Sequence, residues 1–269
     1  MKKSLLQNFM AVTTKLFFPV LAAILVLHAN AQIDTTTTLK KISYLSSYPK
    51  NVGAMVTAPG HWKSEQWFQF GGSVVVVGAL VTMDEVMNIP FKNWQSPFAI
   101  NLGEAGDVVG GLPFQLGLTG AALGVGYISK NKKWQNFAFD NLQSQLFTGG
   151  ITFVIKELAH RARPETGKDN YAWYGPFNGK GNQSFFSGHT SISFSTATMI
   201  FLHSGKKWWV GLLSYGTASV VGISRMQQQK HWGSDVVAGA LVGTAVANFI
   251  YQQQEKRRKQ NTKLKPLPD

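Results

Sequence analysis

The chain has 269 residues, a formal net charge of +13 and only 14% charged residues, and it contains no cysteine. The lack of cysteine excludes a disulfide framework, a thiolate metal site and a cysteine nucleophile. The positive charge indicates an anionic partner, such as a phosphorylated substrate or an anionic lipid. We do not expect nucleic acid as a partner, because much of the excess charge lies in two short runs and a tail.

The first 31 residues predict an export signal peptide. Lys2 and Lys3 supply its positive start, "LFFPVLAAILVL" its apolar stretch, and "ANA" a small-residue cleavage site before Gln32. An uncleaved anchor helix is the alternative. Both interpretations send the chain into the export pathway and towards the cell envelope.

The rest of the chain divides into a polar lead-in, an apolar region and a basic tail. Residues 32–70 are predicted to be loosely ordered, with a short amphipathic helix in "APGHWKSEQWFQF". Lengths of about fifteen residues or more favour helices over strands in the apolar region, so we predict an all-α bundle of six helices over 71–252. The tail is 253–269. The six apolar segments are 73–87, 107–128, 142–158, 187–203, 208–223 and 235–251.

Small residues and tryptophans within these segments indicate membrane association. "GLTGAALGVG" and "AGALVGTA" suit close contact between helices in a membrane. Tryptophan follows lysine in "KKWQ" at Lys132 and in "KKWW" at Lys206, as expected at a membrane interface. Several segments are shorter than the roughly 20 residues of a full span, so a soluble helical bundle remains an alternative.

Three clusters of polar residues stand at the ends of apolar segments. In the first, "KELAHRARP", Lys156 and Arg163 are seven residues apart. On one helix both cations would project from the same side, and Pro164 would end that helix. Two cations that point one way suit a phosphoryl group. A basic helix end that is stabilised by the helix dipole is the simpler alternative.

The second cluster is "FFSGHTS". Ser187 is placed to cap the helix that follows, and Gly188 would let the backbone approach a ligand closely. Free N–H groups at that helix start would face an anion. His189 would then donate a proton to a leaving oxygen. The alternative is a capped helix with an incidental histidine.

The third cluster is "SRMQQQKHWGSD". Arg225 offers a planar fork for phosphate oxygens, and His231 offers a neutral nitrogen as a nucleophile. On a helix, Asp235 would lie beside His231, four residues away, and hold its tautomer. A purely structural His–Asp hydrogen bond is the alternative.

Together the clusters spell Lys-x6-Arg-Pro, Ser-Gly-His and Ser-Arg-x5-His-x3-Asp. This pattern resembles the type 2 phosphatidic acid phosphatase (PAP2) superfamily, which includes class A acid phosphatases and vanadium haloperoxidases. The resemblance implies that His231 forms a phosphohistidine, that Asp235 orients it and that His189 is the general acid. It also implies a phosphate cradle and catalysis without a metal ion or other cofactor. The implied cradle consists of Lys156, Arg163, Ser187, Gly188 and Arg225. Phe186 departs from the pattern, since the family usually has proline there.

The resemblance implies hydrolysis of a phosphomonoester or pyrophosphate, and the apolar helices favour a lipid substrate. A soluble periplasmic acid phosphatase of broad specificity and an inactive phosphate- or lipid-binding membrane module are the alternatives. A haloperoxidase is disfavoured by chain length. The sequence does not predict an oligomeric state.

The positive-inside rule predicts a site that faces the periplasm, because the motifs share one side and the lysine runs lie on the other. An export signal followed by six full spans would place the site in the cytoplasm instead. We therefore expect that segment 73–87 does not cross the membrane, because it is short and carries Asp84 and Glu85, which are costly in lipid.

Overall fold

A computed structural model describes residues 43–176 and 182–263, so the predicted signal peptide lies outside the described residues. Within these ranges the chain forms eight α-helices and two short 3-10 helices, at Ala58–His61 and Pro164–Thr166. The all-α prediction is confirmed. The α-helices are α1 Ser47–Thr57, α2 Ser64–Asn93, α3 Pro97–Gly110, α4 Leu112–Ile128, α5 Lys132–Ala159, α6 Gly188–His203, α7 Trp208–Gln227 and α8 Gly233–Lys263.

The predicted number of six helices was wrong, partly because segment 107–128 is broken. Gly111 is extended between α3 and α4, and the two helices meet at a bend of 53°. Pro113 lies in the first turn of α4, where its missing N–H removes no helical hydrogen bond. Gly111 and Pro113 therefore divide the apolar segment 107–128 into two helices.

The other additional helix, α1, lies in the part of the chain that was predicted to be loosely ordered. Asn51 donates to Gln143 of α5 at 3.2 Å, and Ser47 accepts from Gln254 of α8 at 2.9 Å. These buried contacts with distant residues order the helix, together with Met55, which packs against the apolar core. Trp67 belongs to the long helix α2 and Trp62 precedes it, so the short amphipathic helix predicted there was also wrong.

Helix α6 lies at the centre of the bundle and packs against α5, α7 and α8. Its contact with α8 depends on two glycines of "AGALVGTA". A Cβ atom at Gly243 would lie 2.0 Å from the Ser191 carbonyl oxygen, and one at Gly239 would lie 2.7 Å from the Ser187 carbonyl oxygen. The helices pass this close only because both residues are glycine. The start of α6, which carries the second motif, is thus held against α8.

Several helices suit a membrane. Helices α2 and α8 are each long and apolar enough to cross one, and the bent pair α3–α4 adds a third candidate span. Most of α2 is uncovered, with Val75 and Val86 about 70% exposed. An apolar face of this kind is stable against lipid and costly in water. The protein is therefore membrane-associated, as predicted.

The structure removes one of the reasons for keeping segment 73–87 out of the membrane. Asp84 is fully buried within the protein and pairs with Arg161 at 2.7 Å, so its charge does not face lipid, whereas Glu85 is exposed. Helix α2, which contains both residues, is long and apolar enough to be a span.

Candidate active site

All three motifs lie at one end of the bundle. The first occupies the end of α5 and the chain after it, the second the start of α6, and the third the end of α7 and the start of α8. Because these helices alternate in direction, residues far apart in sequence are brought to one end. The predicted phosphate and catalytic groups are therefore neighbours in the fold.

His231 lies beside Asp235 at the centre of this end. Its Nδ1 is 3.7 Å from a carboxylate oxygen of Asp235, and the two side chains are almost completely buried. The expected helical spacing was wrong, because His231 lies in the turn before α8 and Asp235 in the first turn of α8. The contact arises from that turn. At 3.7 Å the pair is slightly longer than a hydrogen bond, and among residues 43–176 and 182–263 Nδ1 has no other partner.

The carboxylate of Asp235 is held by three other groups. Arg161 donates to Oδ1 at 2.7 Å, the backbone N–H of Trp232 donates to Oδ2 at 3.0 Å, and the hydroxyl of Ser184 also donates to Oδ2. These bonds fix the carboxylate in one orientation beside the imidazole. Such contacts orient the residue that in turn orients a reactive histidine.

Arg161 links this carboxylate to helix α2. Its guanidinium is completely buried, and it donates to Asp84 and Asp235 at 2.7 Å each and to the Asn170 carbonyl oxygen at 2.8 and 3.0 Å. The Ser234 hydroxyl accepts from Arg161 at 2.8 Å and donates to Asp84. The buried charge is therefore fully paired, as burial requires.

Arg161 and Asp84 were not among the predicted site residues. A signal was present, because a carboxylate in an apolar segment indicates a buried partner, and Arg161 stands inside the first motif. The two residues are 77 positions apart, so the sequence alone did not identify them as a pair.

Lys156 and Arg163 approach the same histidine, but not from one helix. Helix α5 ends at Ala159 because His160 adopts a left-handed conformation with φ of 41°, and Arg163 lies in the extended chain beyond it. The predicted common helix face was therefore wrong, and Pro164 begins a 3-10 turn instead of ending a helix. The Lys156 amino group donates to the carbonyl oxygen of Gln183.

The positive charges affect the ionisation of the site. The pKa of His231 is lowered to about 3, chiefly by burial; Asp235 opposes the shift, while Lys156 and Arg163 add to it. The pKa of Lys156 is lowered to about 8, chiefly by burial and next by Arg163. At neutral pH the imidazole is therefore neutral and the lysine is still charged. This is the combination that a nucleophile beside a phosphate requires.

The second motif forms a capped helix start. Ser187 accepts from the backbone N–H of Thr190 at 3.4 Å, which confirms the predicted cap. A Cβ atom at Gly188 would lie 4.0 Å from Lys156 Cε, so the glycine borders the lysine. Phe186, which stands in place of the family proline, is buried. Its ring packs edge-on against Phe185, and these contacts restrain the loop.

His189 and Arg225 share one carboxylate. His189 Nε2 lies 3.2 Å from Asp107 Oδ1, and the Arg225 guanidinium donates to the same oxygen. Asp107 was not predicted. It comes from α3 and joins the second and third motifs. Arg225 also donates to Gln228 at 2.6 Å. Arg225 and Gln228 both border an open polar cavity of about 430 Å³. The structure thus brings all the predicted site residues to one end, in two adjoining groups.

In the ranges 43–176 and 182–263, no three His, Asp or Glu side chains converge in a way that could hold a metal ion. The cations of this end include the side chains of Lys156, Arg161, Arg163, Arg225 and Lys230.

Comparisons with known proteins place part of the chain beside one family. Residues 138–259 match the family model of the PAP2 superfamily. Lipid A 1-phosphatase of Porphyromonas gingivalis is 32% identical over 129 residues, which are 48% of this chain and 26% of that protein. Lipid phosphate phosphatase 1 of Arabidopsis thaliana is 38% identical over 135 residues, 40% of this chain and 41% of that protein.

A solved structure shares the fold. The crystal structure of the transmembrane PAP2 type phosphatidylglycerolphosphate phosphatase from Bacillus subtilis superposes with a TM-score of 0.55 and 22% identity, over 70% of this chain and 94% of that one. The match to the two curated relatives spans less than half of their length.

Proposed function

Because residues 138–259 match the family model of the PAP2 superfamily, we propose that the protein is a membrane-associated phosphatase that hydrolyses a phosphomonoester or pyrophosphate of a lipid in the cell envelope. The observation that carries the proposal is the neutral, buried His231 between Asp235 and the charges of Lys156 and Arg163. A nucleophile and a phosphate cradle are thereby present at one place.

In the proposed reaction, the phosphoryl group lies among Lys156, Arg163, Arg225 and the N–H groups at the start of α6, near Gly188. Each group donates to phosphate oxygens, and the donors stabilise charge that accumulates in the transition state. Ser187 caps this helix and fixes the direction of its free N–H groups.

His231 attacks phosphorus through Nε2, because its Nδ1 is the atom that faces Asp235. The phosphorus–oxygen bond to the leaving group breaks as the phosphorus–nitrogen bond forms, and His189 gives its proton to the leaving oxygen. Water then attacks the phosphohistidine, His189 takes a proton from that water, and inorganic phosphate leaves. Asp235 stabilises the positive charge of the imidazole during both steps.

Three features support a lipid substrate. The uncovered apolar face of α2 places the domain in a membrane. The net charge of +13 favours anionic head groups. Finally, both curated relatives described above are named as phosphatases of lipids. The exposed apolar faces also disfavour the soluble acid phosphatase as an alternative.

The reactive end is proposed to face the periplasm. The opposite end of the bundle carries five lysines, and the positive-inside rule assigns that end to the cytoplasm. These are Lys130, Lys132, Lys133, Lys206 and Lys207. With α2 as a span, this placement puts the start of α2 in the cytoplasm, so it replaces the expectation that a cleaved export signal leaves the chain before α2 outside.

The test is turnover by the purified protein in detergent. The panel of substrates consists of phosphatidic acid, phosphatidylglycerol phosphate, a polyprenyl pyrophosphate, a phosphorylated lipid A and an aryl phosphate. We expect release of phosphate from at least one lipid, and loss of all turnover in His231→Ala. His61→Ala, an exposed histidine away from the site, is the control. Equal turnover in His231→Ala and the parent would reject the mechanism, and no turnover by the parent would favour an inactive binding module.

A further inference from the structure

A groove of about 660 Å³ opens at the end of the bundle opposite to His231. Its walls come from the C-terminal half of α4, the start of α5, the end of α6 and the start of α7, whereas the reactive groups lie at the other ends of α5, α6 and α7. The lining is mainly apolar and includes Leu118, Val125, Phe137 and Ile200. Its volume is in the range of known ligand sites.

The mouth of this groove is positively charged. Lys133, in the first turn of α5, and Lys207, directly before α7, both line it. Neither residues 129–137 nor residues 204–213 include an Asp or Glu, so no carboxylate within these stretches neutralises the lysines. Two ammonium groups at the end of an apolar groove complement a ligand that has an anionic head and an apolar tail.

The rim of the groove has the composition of a membrane interface. Trp134 and Trp209 both line it and are about half exposed, at 47% and 50%. Such rings lie at the level of lipid head groups, with one edge in the apolar layer. Helix α4, which forms one wall, is part of the candidate span α3–α4. The groove therefore opens where the bundle meets lipid.

We propose that this groove binds one intact anionic phospholipid, with an acyl chain along the apolar wall and the phosphate beside Lys133 and Lys207. The site is separate from the proposed phosphatase centre and has no lining residue in common with it. A free phosphate would leave the apolar wall uncovered, and a zwitterionic lipid would lack a net charge to match the lysines. The bound lipid would stabilise the end of the bundle remote from the chemistry.

The experiment measures the melting temperature of the purified protein in neutral detergent. Phosphatidylglycerol is compared with phosphatidylcholine of the same acyl chains and with water-soluble glycerol 1-phosphate. Because a ligand that binds the folded state raises Tm, we expect phosphatidylglycerol to raise it by about 3 °C or more, and the other two to have little effect.

The matched variants are Lys133→Gln/Lys207→Gln and Lys130→Gln/Lys206→Gln. Both remove one charge near the start of α5 and one just before α7, but only the first pair lines the groove. We expect the first variant to lose the Tm shift and the second to keep it. An equal shift in both variants, an equal shift with phosphatidylcholine, or the same shift with glycerol 1-phosphate would each overturn the proposal.

A second measurement covers the case in which the first variant does not fold. A phosphatidylglycerol with a photoreactive acyl chain is cross-linked to the parent protein, and the labelled peptides are identified. We expect the labelling to be concentrated in residues 118–137 and 200–210. Excess unlabelled phosphatidylglycerol should reduce it. Labelling without enrichment in these peptides would contradict a specific site. The readout does not require turnover, so its failure is distinct from a failure of the proposed phosphatase activity.

Discussion

Arg161 donates to Asp235 at 2.7 Å, and both side chains are completely buried. The same guanidinium pairs with Asp84 of α2 at 2.7 Å. The carboxylate that faces His231 is therefore positioned from two directions, by the chain after α5 and by an apolar helix that has no motif residue. Arg161 acts on the proposed reaction through Asp235 and is a positioning residue.

The first prediction concerns Arg161→Lys. A lysine keeps the charge, but its single ammonium group cannot bridge two carboxylates in the plane of a guanidinium. Asp235 should shift relative to His231, and we expect kcat to fall by roughly 100-fold while KM changes less than threefold. Steady-state kinetics on a folded variant provide the measurement.

The control for this variant is Arg258→Lys. Arg258 pairs with Asp140 at 2.8 Å at the opposite end of the bundle, so the change is chemically the same and remote from the site. We expect it to lower stability without a comparable fall in kcat. If both variants reduced kcat equally, or if Arg161→Lys had the parent kcat, the positioning role would be wrong.

The second prediction separates the two histidines by their roles. In His189→Ala the leaving oxygen receives no proton, so kcat/KM for an alkyl phosphate should fall by about 10² to 10⁴. An aryl phosphate with a nitrophenolate leaving group needs no such proton, and its kcat/KM should fall much less. The measurement is kcat/KM for both substrates in parallel, because kcat also includes the hydrolysis of the phosphohistidine, in which His189 acts as the base. Equal losses for both would show that His189 does not act as the general acid.

From the sequence, the residues that meet at the site could be predicted more reliably than the backbone conformation that brings them together. Lys156 and Arg163 both affect His231, yet α5 ends between them at His160, whose positive φ no local preference indicates. Tertiary structure explains the break, because the chain after α5 places Arg161 between two carboxylates. Asp107 and Asp84 were missed for a related reason, since their partners lie far away in sequence.

The third prediction is an alkaline limit set by Lys156. Its pKa is lowered to about 8, so the amino group is charged below pH 8 and loses its charge as the pH rises through that value. The substrate phosphate is already fully ionised there. We expect KM to rise roughly tenfold between pH 7.5 and 9.5, because one charge-assisted hydrogen bond is lost.

Lys156→Arg tests the origin of that limit. A guanidinium keeps its charge over the whole range, so KM of this variant should be nearly constant between pH 7.5 and 9.5. A constant KM in the parent protein, or an unchanged rise in Lys156→Arg, would mean that another group sets the limit.

The last prediction concerns the side of the membrane that the site faces. The chain has no cysteine, so a single introduced thiol reports one position without background. Lys168→Cys places it on the exposed segment that follows the first motif, and Lys259→Cys places it near the end of α8, at the opposite end of the bundle. Because lysine runs mark the cytoplasmic end, an impermeant maleimide should label Lys168→Cys in intact spheroplasts. Lys259→Cys should be labelled only after the inner membrane is broken. The reverse pattern would place the reactive end in the cytoplasm, and its substrate would then be a phosphorylated lipid of the inner leaflet.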